Sequence, residues 1–121
     1  MGIIFNRDVY EVYIRGRINR ETIEKSYIPD IVKKMYLDEP RVYNSLIINV
    51  RGAKLEDLTD DVGEMVLPLF ASLRRIGKNA RFRVSNWRTY RHLKNMGFQE
   101  EELREIKLIP KFLEEKTTEL K

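Results

Sequence analysis

Apolar and polar positions along the chain change period several times, and each change marks a predicted element. Residues 9–14 are rich in β-branched and aromatic side chains and run out just before Gly16, the pattern of a strand that ends in a turn. Asn19 is a natural helix N-cap, and behind it Ile23, Ile28, Ile31, Val32 and Met35 recur at helical spacing. Pro29 lacks a backbone donor and crowds the preceding turn, which predicts a kink or two short helices meeting near Tyr27 and Ile28. Residues 46–50 are apolar except for Asn49, as a central strand requires. An acid-crowded turn follows, and then Val62, Met65, Val66, Leu69, Phe70, Leu73 and Ile76 form one apolar stripe, with Pro68 expected to bend the helix and Gly77 to cap it. Residues 80–84 alternate small or apolar side chains with Arg81 and Arg83, which suits a strand packed on one face and wet on the other. Ser85 or Asn86 is expected to cap a short helix carrying Trp87, Tyr90, Leu93 and Met96 and closed by Gly97. Residues 105–109 predict a last strand, and Pro110 the first turn of a terminal helix reaching about residue 120.

Strands that alternate with helices imply crossover connections and a largely parallel sheet. A parallel sheet covered on both faces has nearly continuous apolar strands, and only residues 46–50 read that way; Arg81, Arg83 and Lys107 interrupt the others. The expectation is an α/β fold with a mixed, mostly parallel sheet of four to five strands, its helices mainly on one face and the other face partly open. With no linker, repeat or low-complexity stretch, residues 1–121 read as one domain.

Composition narrows the chemistry. There is no cysteine and only one histidine, His92, which removes disulfides, thiol nucleophiles and most zinc or histidine-based schemes. The net charge of +4, from 23 basic and 19 acidic residues, is too small to demand a nucleic-acid partner. The segment MGIIFN has no basic start or long apolar core of a signal peptide, Asn6 stands where a myristoylation motif needs Ser or Thr, and no apolar run reaches membrane-spanning length. A cytoplasmic protein without metal or cofactor is expected.

The order of these blocks resembles the STAS domain family. VYIRGRINRET (residues 12–22) resembles its first strand and turn, LIINVRG (46–52) its central strand, and RRIGKNARFRVSN followed by WRTYRHLKNMGF (74–98) its helix end, next strand and short helix; together the likeness runs from about residue 8 to 113. The related SpoIIAA-like, or Sec14-like, family also matches the Tyr27-Ile28-Pro29 element. The resemblance implies a non-enzymatic switch resembling an anti-sigma factor antagonist. Its partner would be a kinase-like anti-sigma factor or a multiprotein sensory complex, and a homodimer is compatible with it. In that family an Asp-Ser-Ser-Gly motif, or a Thr variant, opens the helix after the central strand, and a partner kinase phosphorylates its hydroxyl. Counting back from Gly77, the corresponding residues are Thr59, Asp60, Asp61 and Val62, so Asp60 replaces the hydroxyl. The family's aspartates in the first turn and at the end of the central strand fall on Asn19 and Asn49. The implied partner-binding residues are Gly16, Arg17 and Asn19, then Leu58, Val62 and Gly63, then Ser85, Asn86 and Trp87, three strand-end segments expected to gather on one side.

The residues themselves leave several readings of the acidic turn open. Asp57, Thr59 or Asp61 could cap the helix while the other acids complement its dipole, each contributing about 0.3–1 kcal/mol. Alternatively, a fixed carboxylate at the helix start imitates a phosphorylated switch, with about one charge where a phosphate carries nearly two. Phosphorylation of Thr59 is a third reading, opposed by repulsion from Asp60 and Asp61. A magnesium site among Asp57, Asp60, Asp61 and Glu64 has oxygen ligands but no supporting base or phosphate loop.

A further feature is charge segregation, since no acid occurs from Met65 through Gln99 while Arg74, Arg75, Lys78, Arg81, Arg83, Arg88, Arg91 and Lys94 all lie there. This strip reads either as a solubilising exterior balanced by Glu100, Glu101, Glu102 and Glu105, or as a surface for nucleic acid, an acidic partner or an anionic membrane, with Arg81 and Arg83 at the core of a docking patch. A lipid- or nucleotide-binding domain using the acidic helix's N-terminus as an anion site is the remaining alternative. Trp87 and Tyr90 are expected in the core, and His92 on the surface.

Overall fold

The computed structural model describes residues 2–6, 9–37 and 44–103. Among these residues, four strands form one sheet in the order β1 (Gly2–Asn6), β2 (Val9–Tyr13), β3 (Ser45–Asn49), β4 (Asn79–Arg83). β1 pairs antiparallel with β2, whereas β2, β3 and β4 run parallel. The expected mixed, mostly parallel sheet is therefore present. β1 is an addition: Ile3, Ile4 and Phe5 favour a strand, but a five-residue run is too short for its period to declare one. The strand and helix expected within residues 105–120 lie outside the described residues.

The break at Pro29 is as the sequence requires. α1 (Arg20–Lys25) ends at Ser26 and α2 (Ile28–Tyr36) begins with Pro29 in its first turn, where the missing N–H costs no hydrogen bond. Ser26 stitches the gap, its hydroxyl donating to the Ile23 carbonyl at 2.6 Å and accepting from the Ile28 N–H at 3.2 Å. Ile23, Ile28, Ile31, Val32 and Met35 are all buried.

After β3 comes a single 3₁₀ turn (Leu55–Asp57), then α3 (Asp60–Arg75), which packs on β4 and against α1 and α2. Val62, Val66, Phe70 and Leu73 of its stripe are buried, with Met65 and Leu69 packed at the margin. Ile76 departs from the expected stripe. The helix stops at Arg75 and the chain turns through Gly77 at φ 77°, which leaves Ile76 exposed. Phe70, Phe82 and Phe98 form the aromatic centre of the core, with ring centroids 4.8–5.5 Å apart.

α4 (Trp87–Met96) follows β4 and is capped by Asn86, whose side-chain oxygen accepts from the Thr89 N–H at 2.8 Å. Tyr90 and Leu93 are buried, and Trp87 meets Tyr90 edge-on at 4.8 Å, so this helix face is core rather than a base-stacking platform. α5 (Glu100–Leu103) was not expected, because four residues show no period; Leu103 is fully buried and anchors it beside β4.

The second face of the sheet is partly open, as expected, with Asn79 exposed and Tyr13, Arg81 and Arg83 half-buried, but its centre is closed. Glu11, Ile47 and Asn49 are buried there. The Glu11 carboxylate accepts from Asn49 Nδ2 at 2.8 Å and from Arg83 Nη1 at 3.1 Å, which joins β2, β3 and β4 through one polar network. Arg83 is therefore a structural cation, not part of a docking patch.

Candidate functional site

Because β2, β3 and β4 run parallel, their carboxyl ends share one edge, and the segments expected to bind a partner leave the sheet there. Gly16 makes the first turn possible at φ 76°, a conformation that a side chain disfavours. Ile18 then forms an isolated parallel bridge with Leu58: its N–H donates to the Asp57 carbonyl at 2.8 Å, and its carbonyl accepts from the Thr59 hydroxyl at 2.6 Å. Asn19 caps α1 in a reciprocal box, accepting from Thr22 N–H at 3.0 Å while its own N–H donates to the Thr22 hydroxyl at 2.8 Å.

This stitching decides what each acid does. Asp57 does not cap α3; its carboxylate accepts from Lys54 N–H at 3.0 Å and closes the 3₁₀ turn. Thr59 occupies the N-cap position of α3 but makes no side-chain cap bond, since its hydroxyl serves Ile18. Asp61 reaches across to accept from Arg20 N–H at 2.8 Å, and the Arg20 guanidinium lies 3.6 Å from the Glu64 carboxylate. These acids fasten the start of α1 to the start of α3 instead of serving α3 alone. Asp60 differs from them. It is exposed at the first position of α3, and its side chain makes no hydrogen bond or ion pair among the described residues.

The other expected site residues divide by exposure. Gly16, Arg17, Ser85 and Asn86 are exposed, and Asn19 and Trp87 are half-buried. Leu58, Val62 and Gly63 are buried, so they shape the edge without forming its surface. A Cβ at Gly63 would stand 3.3 Å from Met96 Cβ, so α3 and α4 approach closely at this glycine. The turn at 16–19 and the start of α3 are directly bonded; the 85–87 segment joins the same edge by following β4.

His92 is not an ordinary surface residue. It is half-buried on α4, and its Nε2 lies 2.9 Å from the Leu58 carbonyl, a bond in which Nε2 donates. α4 is thereby tied to the 3₁₀ turn across a sequence separation of 34, for which the sequence carries no local signal.

The basic strip is dispersed by the fold. Arg74 pairs with Glu102 at 3.4 Å, Arg83 with Glu11, Lys78 is buried, and Lys94 Nζ lies 5.8 Å from the Tyr90 ring centre. Arg75 remains exposed near the start of β4 and Arg88 and Arg91 beyond its end, separated by a five-residue strand of roughly 16 Å. Among the described residues no group of three or more His, Asp or Glu could hold a metal ion, and no helix is long and apolar enough to cross a membrane.

No protein-family model and no curated protein matches the chain. Solved structures do. A chain from the molecular architecture of the stressosome, a signal integration and transduction hub, has a TM-score of 0.58 at 13% identity, covering 99% of both chains. A Moorella thermoacetica RsbS variant with a Ser-to-Glu substitution has a TM-score of 0.53 at 14% identity, covering 98% of both. The fold is the STAS fold, as the sequence blocks imply.

Proposed function

We propose that this chain is a non-enzymatic regulatory domain that docks a protein partner on the edge formed by the 16–19 turn, the start of α3 and the 85–87 segment. The observation that carries the reading is the difference between Asp60 and its neighbours. Thr59 and Asp61 are committed to the scaffold, whereas Asp60 presents an unpaired carboxylate at the position where the resemblance places a phosphorylated hydroxyl. Its charge is permanent, so the domain stands in one binding state without a covalent step. The Thr59 hydroxyl is a poor alternative acceptor, because modification would break its 2.6 Å bond to Ile18 and set a dianion beside Asp60 and Asp61. The same carboxylates disfavour a lipid or nucleotide phosphate at this helix start.

Likeness to a stressosome chain supports a multiprotein sensory complex as the partner class, with a kinase-like component or a second copy of this chain as its finer identities. Affinity capture from native cell extract tests the proposal. The wild-type chain is expected to recover a protein assembly that Asp60→Lys, with unchanged melting behaviour, does not. Recovery of no protein, or equal recovery by both chains, overturns it. With a co-purifying kinase, Asp60→Ser is expected to accept phosphate and the wild-type chain none.

A further inference from the structure

A cleft of about 340 Å³ lies between the ends of β2 and β3, lined by Tyr13, Ile14, Arg15, Asn49, Arg51 and Gly52. Its volume falls at the small end of ligand sites, which span about 300–1,000 Å³. No residue of the lining is acidic, and the lining places two arginines together. Arg20, Arg74 and Arg83 are each engaged with a carboxylate, but the Arg15 and Arg51 side chains belong to exposed residues and make no hydrogen bond or ion pair among the described residues. Two uncompensated guanidiniums on one concave surface repel each other and gain by sharing an anion.

The backbone that carries them is fixed from behind. Asn49 Oδ1 accepts from Arg51 N–H at 3.0 Å, and the Asn49 carbonyl accepts from Ile14 N–H at 3.0 Å, so one buried residue sets the ends of both walls. Asn49 Nδ2 is spent on Glu11, whose buried carboxylate is also held by Arg83 and so is compensated away from the cleft. Gly52 leaves the groove in which the Arg15 stem lies: a Cβ there would be 3.0 Å from Arg15 Cγ and 3.5 Å from Cδ.

We infer that this cleft is a binding site for a small phosphomonoester. Guanidinium forks match phosphate oxygens in pairs, and a dianion satisfies both arginines at once. The half-buried Tyr13 supplies an apolar wall for the organic part of the ligand. The site is distinct from the start of α3, where Asp60 and Asp61 oppose anions, and it does not depend on the partner-docking reading.

Titration of the full chain at low salt with inorganic phosphate and with phenyl phosphate, followed by amide NMR shifts, tests the inference. Saturable shifts are expected at Arg15, Arg51 and Gly52, with phenyl phosphate the tighter ligand. Loss of one charge-assisted contact corresponds to at least about tenfold in affinity, expected for Arg15→Gln and for Arg51→Gln, and Arg75→Gln should leave binding unchanged. Gly52→Ala should weaken binding by displacing Arg15 while both charges remain. The variants' melting midpoints confirm that these exposed substitutions leave the fold intact. Non-saturating shifts, equal affinity for the two ligands, or equal binding by the double Arg15→Gln, Arg51→Gln variant mean an adventitious ion only and overturn the proposal.

Discussion

On one face of the sheet Val12, Ile48 and Phe82 stand side by side across β2, β3 and β4; on the other, Tyr13, Asn49 and Arg83 occupy the equivalent row, with Glu11 one pair back beside Ile47 and Arg81. Both faces exclude water at their centres. The first does so with side chains that need only volume and shape, and neighbouring apolar residues can be exchanged with modest loss. The second buries a carboxylate, an amide and a guanidinium that need one another, so each is costly to remove alone. Density protects the first face, and pairing protects the second.

The sharpest test of the apolar face is Phe82→Ala. Phe82 is 1% exposed and meets Phe70 and Phe98 at 5.3 and 4.8 Å, so truncation leaves a cavity that two rigid rings cannot fill. A loss of about 3–5 kcal/mol in denaturant unfolding is expected, enough to unfold a marginal domain. A loss below about 1 kcal/mol would mean that this face relaxes as a fluid and that density is not what protects it.

The polar face should respond in another manner. Glu11→Ala removes the carboxylate that binds Arg83 Nη1 and strands Asn49 Nδ2, and is expected to cost about 3 kcal/mol, the lower end for breaking a buried pair, since the Glu11 and Arg83 side chains retain 11% and 16% exposure. The double variant Glu11→Leu, Arg83→Met should lie nearer the wild type than Glu11→Ala does, because it removes both charges together. Additive losses in urea titrations of Glu11→Leu, Arg83→Met and the double would show that the groups are not coupled and would erase the distinction between the faces.

The same contrast accounts for what the sequence made legible. Ile23, Ile28, Ile31, Val32 and Met35 announced both α1 and α2 because period is a local property, and Pro29 located their junction because its effect falls on adjacent residues. Asn19 and Asn86 were readable as caps for the same reason. Arg83 was not, because its partner Glu11 lies 72 positions away and a charge in an alternating strand reads as wet until that partner is known. His92 and Leu58 pose the same problem at 34 positions. At the candidate site the sequence marked the three converging segments, yet Leu58, Val62 and Gly63 proved interior. An apolar residue after a turn carries no sign of whether the next element covers it. The cleft at Arg15 and Arg51 stayed hidden because the two arginines lie in separate blocks that no spacing links; they line one cleft only when β2 and β3 pair.

The smallest expected effect separates two adjacent acids. Asp60 and Asp61 both stand in the first turn of α3 and share whatever the helix dipole offers, so the dipole alone makes them equivalent. They differ in one bond, since the Asp61 carboxylate accepts from Arg20 N–H at 2.8 Å and the Asp60 carboxylate has no partner among the described residues. Alanine at either position removes the same charge from the same dipole, and the difference between the two variants isolates the tether between α3 and α1. Asp61→Ala is expected to be the less stable by about 1 kcal/mol, a hydrogen bond to a charged group discounted for its exposure. Amide exchange at Arg20 should accelerate in Asp61→Ala alone, because only that variant frees the Arg20 N–H. Equal stability and equal exchange would place Asp61 beside Asp60 as a surface charge, and the distinction between scaffold acid and presented acid at this edge would fail.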